Sequence, residues 1–484
     1  MNLIYEIYKK LKSQEIRVLK HQIKSSPFEY EKVGKLFELV TQFDEQSEDF
    51  YAQKIYGKNP DNTFRVTKSR LKRMMENVVL NDKSLSGYSV PIINIQLQLK
   101  KKLLQSEILI GRGAYKSGKS LLMQCINIAQ KYELHQEYFQ AEFLMYRLTS
   151  IRSPLKDFEK QMQLLQHWNQ KNYAIYEALI SHYYINNILL HRSPNPTQLA
   201  NIRTQLNRIQ EIAQQAQHPL TWNAHYLSEI YYLQIIGQFA DAFDFCEKYL
   251  QLIQANPTYY PKGRLAGVYI QLAQVALQLE RSEVANEYAE KAMEMFSPDE
   301  MNYLLTLELQ FRIAFYDKDY ERAEKIITQA FAHPSFHTAK MREAQWHYLQ
   351  ACLYFSQGNM KLANKALMKT DPLLSDKQGW NLYVRILDIM VMFELSLFDP
   401  LDAKILALRQ FIKRANPHNQ MQRFGLLLKI MREWYNTGYD FMKTERKVRP
   451  YLQELQTYHE ADPFRVTGME LIRFEKWIEE KLQF

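Results

Sequence analysis

Eight consecutive residues, Gly113-Ala114-Tyr115-Lys116-Ser117-Gly118-Lys119-Ser120, match the pattern of a phosphate-cradling loop letter for letter. In that chemistry backbone N–H groups hold the phosphates, Lys119 reaches the terminal oxygens and Ser120 binds Mg²⁺. The loop needs a strand before it, a helix after it and a parallel sheet around it. Here Leu103 to Ile110 reads as a helix with no β-branched stretch, and no later apolar strand ends in an Asp suited to the metal. A P-loop nucleotide enzyme working through residues 113–120 is therefore a disfavoured alternative, and the motif reads as a turn between helices.

The remaining chemical candidates are thinner. His333 and His337 stand four apart, the spacing that offers two imidazoles to one metal on a helix, but Pro334 lies between them. Cys125, Cys246 and Cys352 are odd in number, far apart and set in apolar helical stretches. They make a poor disulfide framework and read as buried small hydrophobes in a reducing compartment. No carboxylate pair stands out from solvated helix faces. No catalytic, cofactor-binding or metal-ligating residue is assigned, no cofactor is expected, and the chain is read as a non-enzyme.

The elements that must carry these residues are helical. Only 14 of 484 residues are Gly and 16 are Pro, so turn-makers are scarce and sandwiches, barrels and doubly wound sheets are disfavoured. With 46% hydrophobic and 24% charged residues the chain is too apolar for wholesale disorder. The net charge of +9 is spread along the chain, whereas a nucleic-acid binder usually concentrates it. Glu6, Lys9 and Lys10 interrupt the first residues too early for a signal peptide. The most apolar stretch, Tyr383 to Phe398, contains Arg385, Asp388 and Glu394, which rules out a membrane span there. A soluble, cytoplasmic protein with no membrane contact is expected.

The helices repeat. Gly237-Gln238-Phe239 leads to Ala242, Lys318-Asp319-Tyr320 to Ala323 and Gly358-Asn359-Met360 to Ala363; Glu280-Arg281-Ser282 leads to Ala285 without the aromatic. The small residues Ala242, Ala285, Ala323, Ala363 and Ala403 are separated by 43, 38, 40 and 40 positions, and Ala200 lies 42 before the first. Gly113, Gly237, Gly358 and Gly438 fall in one phase, which puts Gly118 where Ala242 stands in its own unit. Between 118 and 200 the units are degenerate, with Pro154, Pro194 and Pro196 in their loops. A period near 40 holds two helices of roughly 15 residues, each about 22 Å long at 1.5 Å per residue. Neither can bury its apolar face alone, so neighbours must stack.

These turns resemble the tetratricopeptide repeat, which has Gly or Asp then Tyr at its inner turn, Ala three residues on and a further small residue seven later. Tyr320, Ala323 and Ala330 match one unit; Ala285 and Ala292 match another, with Ser282 in place of the aromatic. Ala273 and Ala351 match the small residue early in the first helix of a unit. The likeness is clearest over residues 220–415 and departs in period, about 40 against the family's 34. It implies an all-α architecture: an α-solenoid, a right-handed superhelix of about nine stacked antiparallel helix pairs over residues 95–484. It also implies that the first helix of each pair lines a groove, and in the family register Tyr231, Gln274, Arg312, Tyr316 and Tyr348 face it. The expected function is a protein–protein interaction scaffold holding a peptide or partner helix there.

Residues 1–90 lie outside the repeat register and read as a small helical domain for docking or capping, with helices near 2–24, 28–42, 46–56 and 62–80 and a loop from Asn81 to Pro91. In the last helix Phe64, Leu71, Met74 and Val78 form an apolar stripe. The run Arg65-Val66-Thr67-Lys68-Ser69-Arg70-Leu71-Lys72-Arg73 resembles the recognition helix of bacterial winged-helix activators. That makes a transcriptional or signalling regulator the first alternative, its nucleic-acid contact confined to Arg65–Arg73.

Overall fold

The computed structural model describes residues 2–25, 27–80, 90–149, 154–191, 195–375, 379–415, 422–438, 441–461, 465–466 and 468–482. All regular structure among them is helical, and no helix is long and apolar enough to cross a membrane. Contacts divide the chain into two units, residues 1–172 and 173–484.

The first unit opens with α1 (Asn2–Lys10), α2 (Ser13–Ser25), α3 (Pro27–Gln42), α4 (Glu48–Tyr56) and α5 (Asn62–Val79). The single helix expected over 2–24 is two. It breaks at Leu11-Lys12, where the Lys12 N–H donates to Glu15 Oε2 at 2.7 Å and starts α2 afresh. Ser47 and Asp61 cap α4 and α5 by accepting from the N–H three residues on. Phe64, Leu71, Met75 and Val78 of α5 are fully buried against Leu19, Leu36, Phe37, Val40 and Tyr51. Met75 thus takes the core place expected of Met74, which is half-buried. The loop expected from Asn81 falls almost wholly outside the described residues. There follow α6 (Pro91–Gly111), α7 (Tyr115–Lys131), α8 (His135–Thr149) and α9 (Leu155–His191), the last running past the division.

The second unit contains α10 (Pro196–Ala216) and then six helical hairpins: α11 (Pro219–Ile235) with α12 (Phe239–Ala255), α13 (Lys262–Gln278) with α14 (Ser282–Met293), and α15 (Met301–Tyr316) with α16 (Tyr320–Ala332). The other three are α17 (Lys340–Ser356) with α18 (Met360–Leu367), α19 (Trp380–Glu394) with α20 (Phe398–Ala415), and α21 (Gln422–Asn436) with α22 (Phe441–Ala461). A final helix, α23 (Phe474–Leu482), follows.

Each hairpin turns the same way. The first helix ends in one left-handed residue: Gly237, Glu280, Lys318, Gly358, Ser396 or Gly438. In the first five the next N–H reaches back five residues, as in Gln238 N to Leu233 O at 2.9 Å and Asn359 N to Tyr354 O at 2.8 Å. This satisfies carbonyls that a helix end otherwise leaves without partners. The residue five after the left-handed one enters the interface between the two helices. Ala242, Ala285, Ala323 and Ala363 do so with no exposed surface. In the fifth hairpin that place belongs to fully buried Leu401, not to Ala403, which is exposed. Ala200 is exposed too, because the degenerate stretch is taken up by one 37-residue helix, α9, instead of a pair.

Candidate functional site

The five expected groove residues all lie on first helices of hairpins: Tyr231 on α11, Gln274 on α13, Arg312 and Tyr316 on α15, and Tyr348 on α17. Tyr231, Gln274 and Tyr316 are half-buried, while Arg312 and Tyr348 are buried at 4% and 3% exposure. Burial pushes the Tyr231, Tyr316 and Tyr348 phenols above their ordinary value, Tyr348 well above, and raises the Cys352 thiol on the same helix to about 12. None of these phenols or thiols ionises at neutral pH.

A stretch of the chain's own C-terminal part lies against this face. Arg312 fixes its guanidinium on Glu308 Oε1, through Nε at 3.1 Å and Nη2 at 2.8 Å, which aims Nη1 outward. Nη1 then donates to two main-chain carbonyls, Val466 O at 3.0 Å and Gly468 O at 2.8 Å. One helix earlier, Gln278 Oε1 accepts from Val466 N at 3.0 Å. One earlier again, Ile235 O at the end of α11 accepts from Arg465 Nη2 at 3.1 Å. Tyr348 lines a small cavity with Tyr383, Glu470, Ile472 and Phe474.

Beyond it Arg423 on α21 clamps Glu470 at 2.7 and 2.9 Å and donates from Nε to Glu475 Oε1 at 2.6 Å. Burial raises the Glu470 carboxyl, and Arg423 pulls the other way. Glu394 on α19 accepts from Trp477 Nε1 at 2.6 Å and Lys481 Nζ at 2.8 Å. The first helices of all six hairpins thus each meet a described residue of 465–466 or 468–482.

Gln278, Arg423, Glu394 and Tyr383 were missed by the sequence reading. Gln278 was reachable, one turn beyond Gln274 on the same face. Arg423 and Glu394 had no signal, because each pairs with a residue more than forty positions away.

Stacked hairpins of about forty residues, closed by left-handed turns and packed on small anchors, decide the architecture. The fold is a tetratricopeptide-like helical repeat. No protein-family model matches the chain, and no curated protein does. Among solved structures this repeat is similar to the apo form of the quorum sensor NprR from B. thuringiensis (TM-score 0.47, 14% identity, 71% of this chain and 98% of that one). It is also similar to the apo form of RapI (TM-score 0.45, 11% identity, 80% and 98%). A third is a signal transduction ATPase with a tetratricopeptide repeat sensor, PH0952 from Pyrococcus horikoshii (TM-score 0.43, 13% identity, 88% and 74%).

Within this helical repeat the phosphate-loop letters form the turn from α6 to α7. Gly113 takes φ +84°, Ala114 N closes on Leu109 O at 2.8 Å, and Gly118 is buried inside α7 with its carbonyl accepting from Ser106 Oγ at 2.9 Å. Lys119 and Ser120 stand exposed on the helix, and no strand precedes them. His333 and His337 part company: His333 is buried and accepts from Ser335 N, while exposed His337 meets Glu343. Among the described residues no group of three or more His, Cys, Asp or Glu could hold a metal ion. The three cysteines are buried. On α5, Arg65, Arg70 and Arg73 are exposed, whereas Lys68 pairs with Glu48 at 2.6 Å and Lys72 with Glu76 at 3.4 Å.

Proposed function

We propose that this repeat binds protein segments on the first-helix face of α11, α13, α15 and α17, and serves as a non-enzymatic scaffold. One observation carries the reading: side chains of that face make three hydrogen bonds to the main chain of a segment that closes a turn from Gly468 N to Arg465 O at 2.8 Å, two carbonyls on Arg312 and one N–H on Gln278. Side chains that read main-chain groups hold any segment able to take this turn, and apolar neighbours then select among sequences. The pairing with Glu308 settles the Arg312 guanidinium before a ligand arrives, and preorganisation of this kind lowers the ordering cost of association. Tyr231, Gln274, Tyr316 and Tyr348 supply the selecting surface; Tyr and Arg are enriched at binding hot spots. In this reading residues 1–90 dock or cap, and the protein works in a reducing cytoplasm where its thiols stay unpaired.

The experiment is peptide display on the immobilised full chain, followed by photo-crosslinking of the selected peptides. Crosslinks to residues 219–235, 262–278, 301–316 and 340–356 are expected. Crosslinks confined to second helices such as α14 or α16, or to α5, would overturn the reading.

A further inference from the structure

The C-terminal segment is held unevenly along its length. From Glu470 onward it is core: Glu470, Leu471, Phe474, Glu475, Trp477 and Ile478 are all buried, Ile478 completely. Before that point it is not. Arg465, Val466, Gly468 and Met469 are each only half-buried, and the apolar contribution is chiefly Val466 packed at the edge of the cluster around Leu272, Leu309 and Ile313. What holds these residues is polar: the Arg312 and Gln278 bonds and Arg465 on Ile235 O. An incoming chain or water can replace each of those bonds, whereas nothing replaces the burial of Phe474, Trp477 and Ile478 once α23 leaves the core. The anchor and the strap therefore differ in strength by construction.

We infer that Arg465, Val466, Gly468 and Met469 are a resident occupant of the binding face, a strap hinged on firmly docked α23. An incoming peptide that closes the same turn takes the face by replacing it bond for bond. This rests on the reading of the face as a peptide site and adds its regulation. The competing peptide presents two carbonyls, two residues apart, to Arg312, an N–H to Gln278 and a β-branched apolar side chain where Val466 lies. The strap sets a threshold that weak or ill-fitting segments do not cross. Displacement stops at Glu470, because Arg423 and the buried Leu471 retain the rest.

Two measurements on the full chain test this. In hydrogen exchange of the unaltered protein, the amides of Val466, Gly468 and Met469 are expected to exchange about 100-fold faster than those of Trp477 and Ile478, as an independently opening segment does. Equal, cooperative exchange of the two groups makes the strap part of the fixed core and overturns the inference. Second, a fluorescein-labelled peptide with the sequence of residues 462–472 is titrated by polarisation. Val466→Asp loosens the strap at a half-buried site, and the variant chain is expected to bind this peptide about tenfold more tightly than the unaltered chain, with Arg312→Ala on top abolishing the gain. Equal binding to both chains, or none to either, overturns the inference. The crosslinking of selected peptides stands apart from both results, so a fixed strap and a face that binds no peptide remain distinguishable.

Discussion

At Gly118 a side chain has no room: a Cβ there would lie 2.5 Å from Ile110 Cγ1 and 3.3 Å from the Ser106 carbonyl. Gly118→Ala should therefore destabilise by about 1–3 kcal/mol through overpacking. Lys119→Ala, one residue on but exposed, should stay within about 0.5 kcal/mol. Thermal melts of the two variants separate a packing role from a phosphate-binding one; a glycine that tolerates alanine would contradict the packing account. Two buried histidines of the second unit give a pH signature. His182, hydrogen-bonded to Ser228 at 2.7 Å, and His225 are each depressed to about 4, first by desolvation and then by nearby cations, Arg264 for His182 and Arg203 and Lys248 for His225. Both are neutral in the folded chain and take up protons near 6.5 when unfolded. Their stabilisation is complete above pH 6.5 and is lost as pH falls from there towards 4, at about 1.4 kcal/mol for each pKa unit of difference. Denaturant midpoints measured between pH 4 and 8 should fall on the acid side, and His182→Gln should flatten the slope.

Single elements explain why some of the chain was legible before its structure. Ala285 and Ala323 announce themselves because only a small residue lets the two helices of a pair close, and both have no exposed surface. The fifth hairpin hides its register: Ser396 supplies the left-handed residue and Leu401 the contact, so a search for Gly and Ala settles two positions late on Ala403. Ala323→Leu should cost about 1–3 kcal/mol by overpacking, while Ala403→Leu should be nearly neutral, and a melt of each decides between the registers. Lys318 holds φ +60° where Gly carries no steric cost, so Lys318→Gly should stabilise the turn by up to about 1 kcal/mol. The continuous α9 was not legible, since its apolar positions carry a helical period whether or not a turn interrupts them, and its 37 residues nearly equal one repeat.

At the scale of the whole molecule, helix-pair repeats have neighbour-only stability, and the first-helix faces of successive pairs line up on one side of the stack. In the proposed reading that alignment brings Tyr231, Gln274, Arg312, Tyr316 and Tyr348 to one face although 117 positions separate the first from the last. The family register supplied an expected face; it could not supply the contact between Arg312 and Val466, which spans 154 positions and follows no local period. The most direct measurement is hydrogen exchange of the full chain with and without a display-selected peptide. The account predicts new protection on α13 and α15 together with faster exchange at Val466, Gly468 and Met469. Protection confined to α12, α14 and α16, with the strap unchanged, would contradict it.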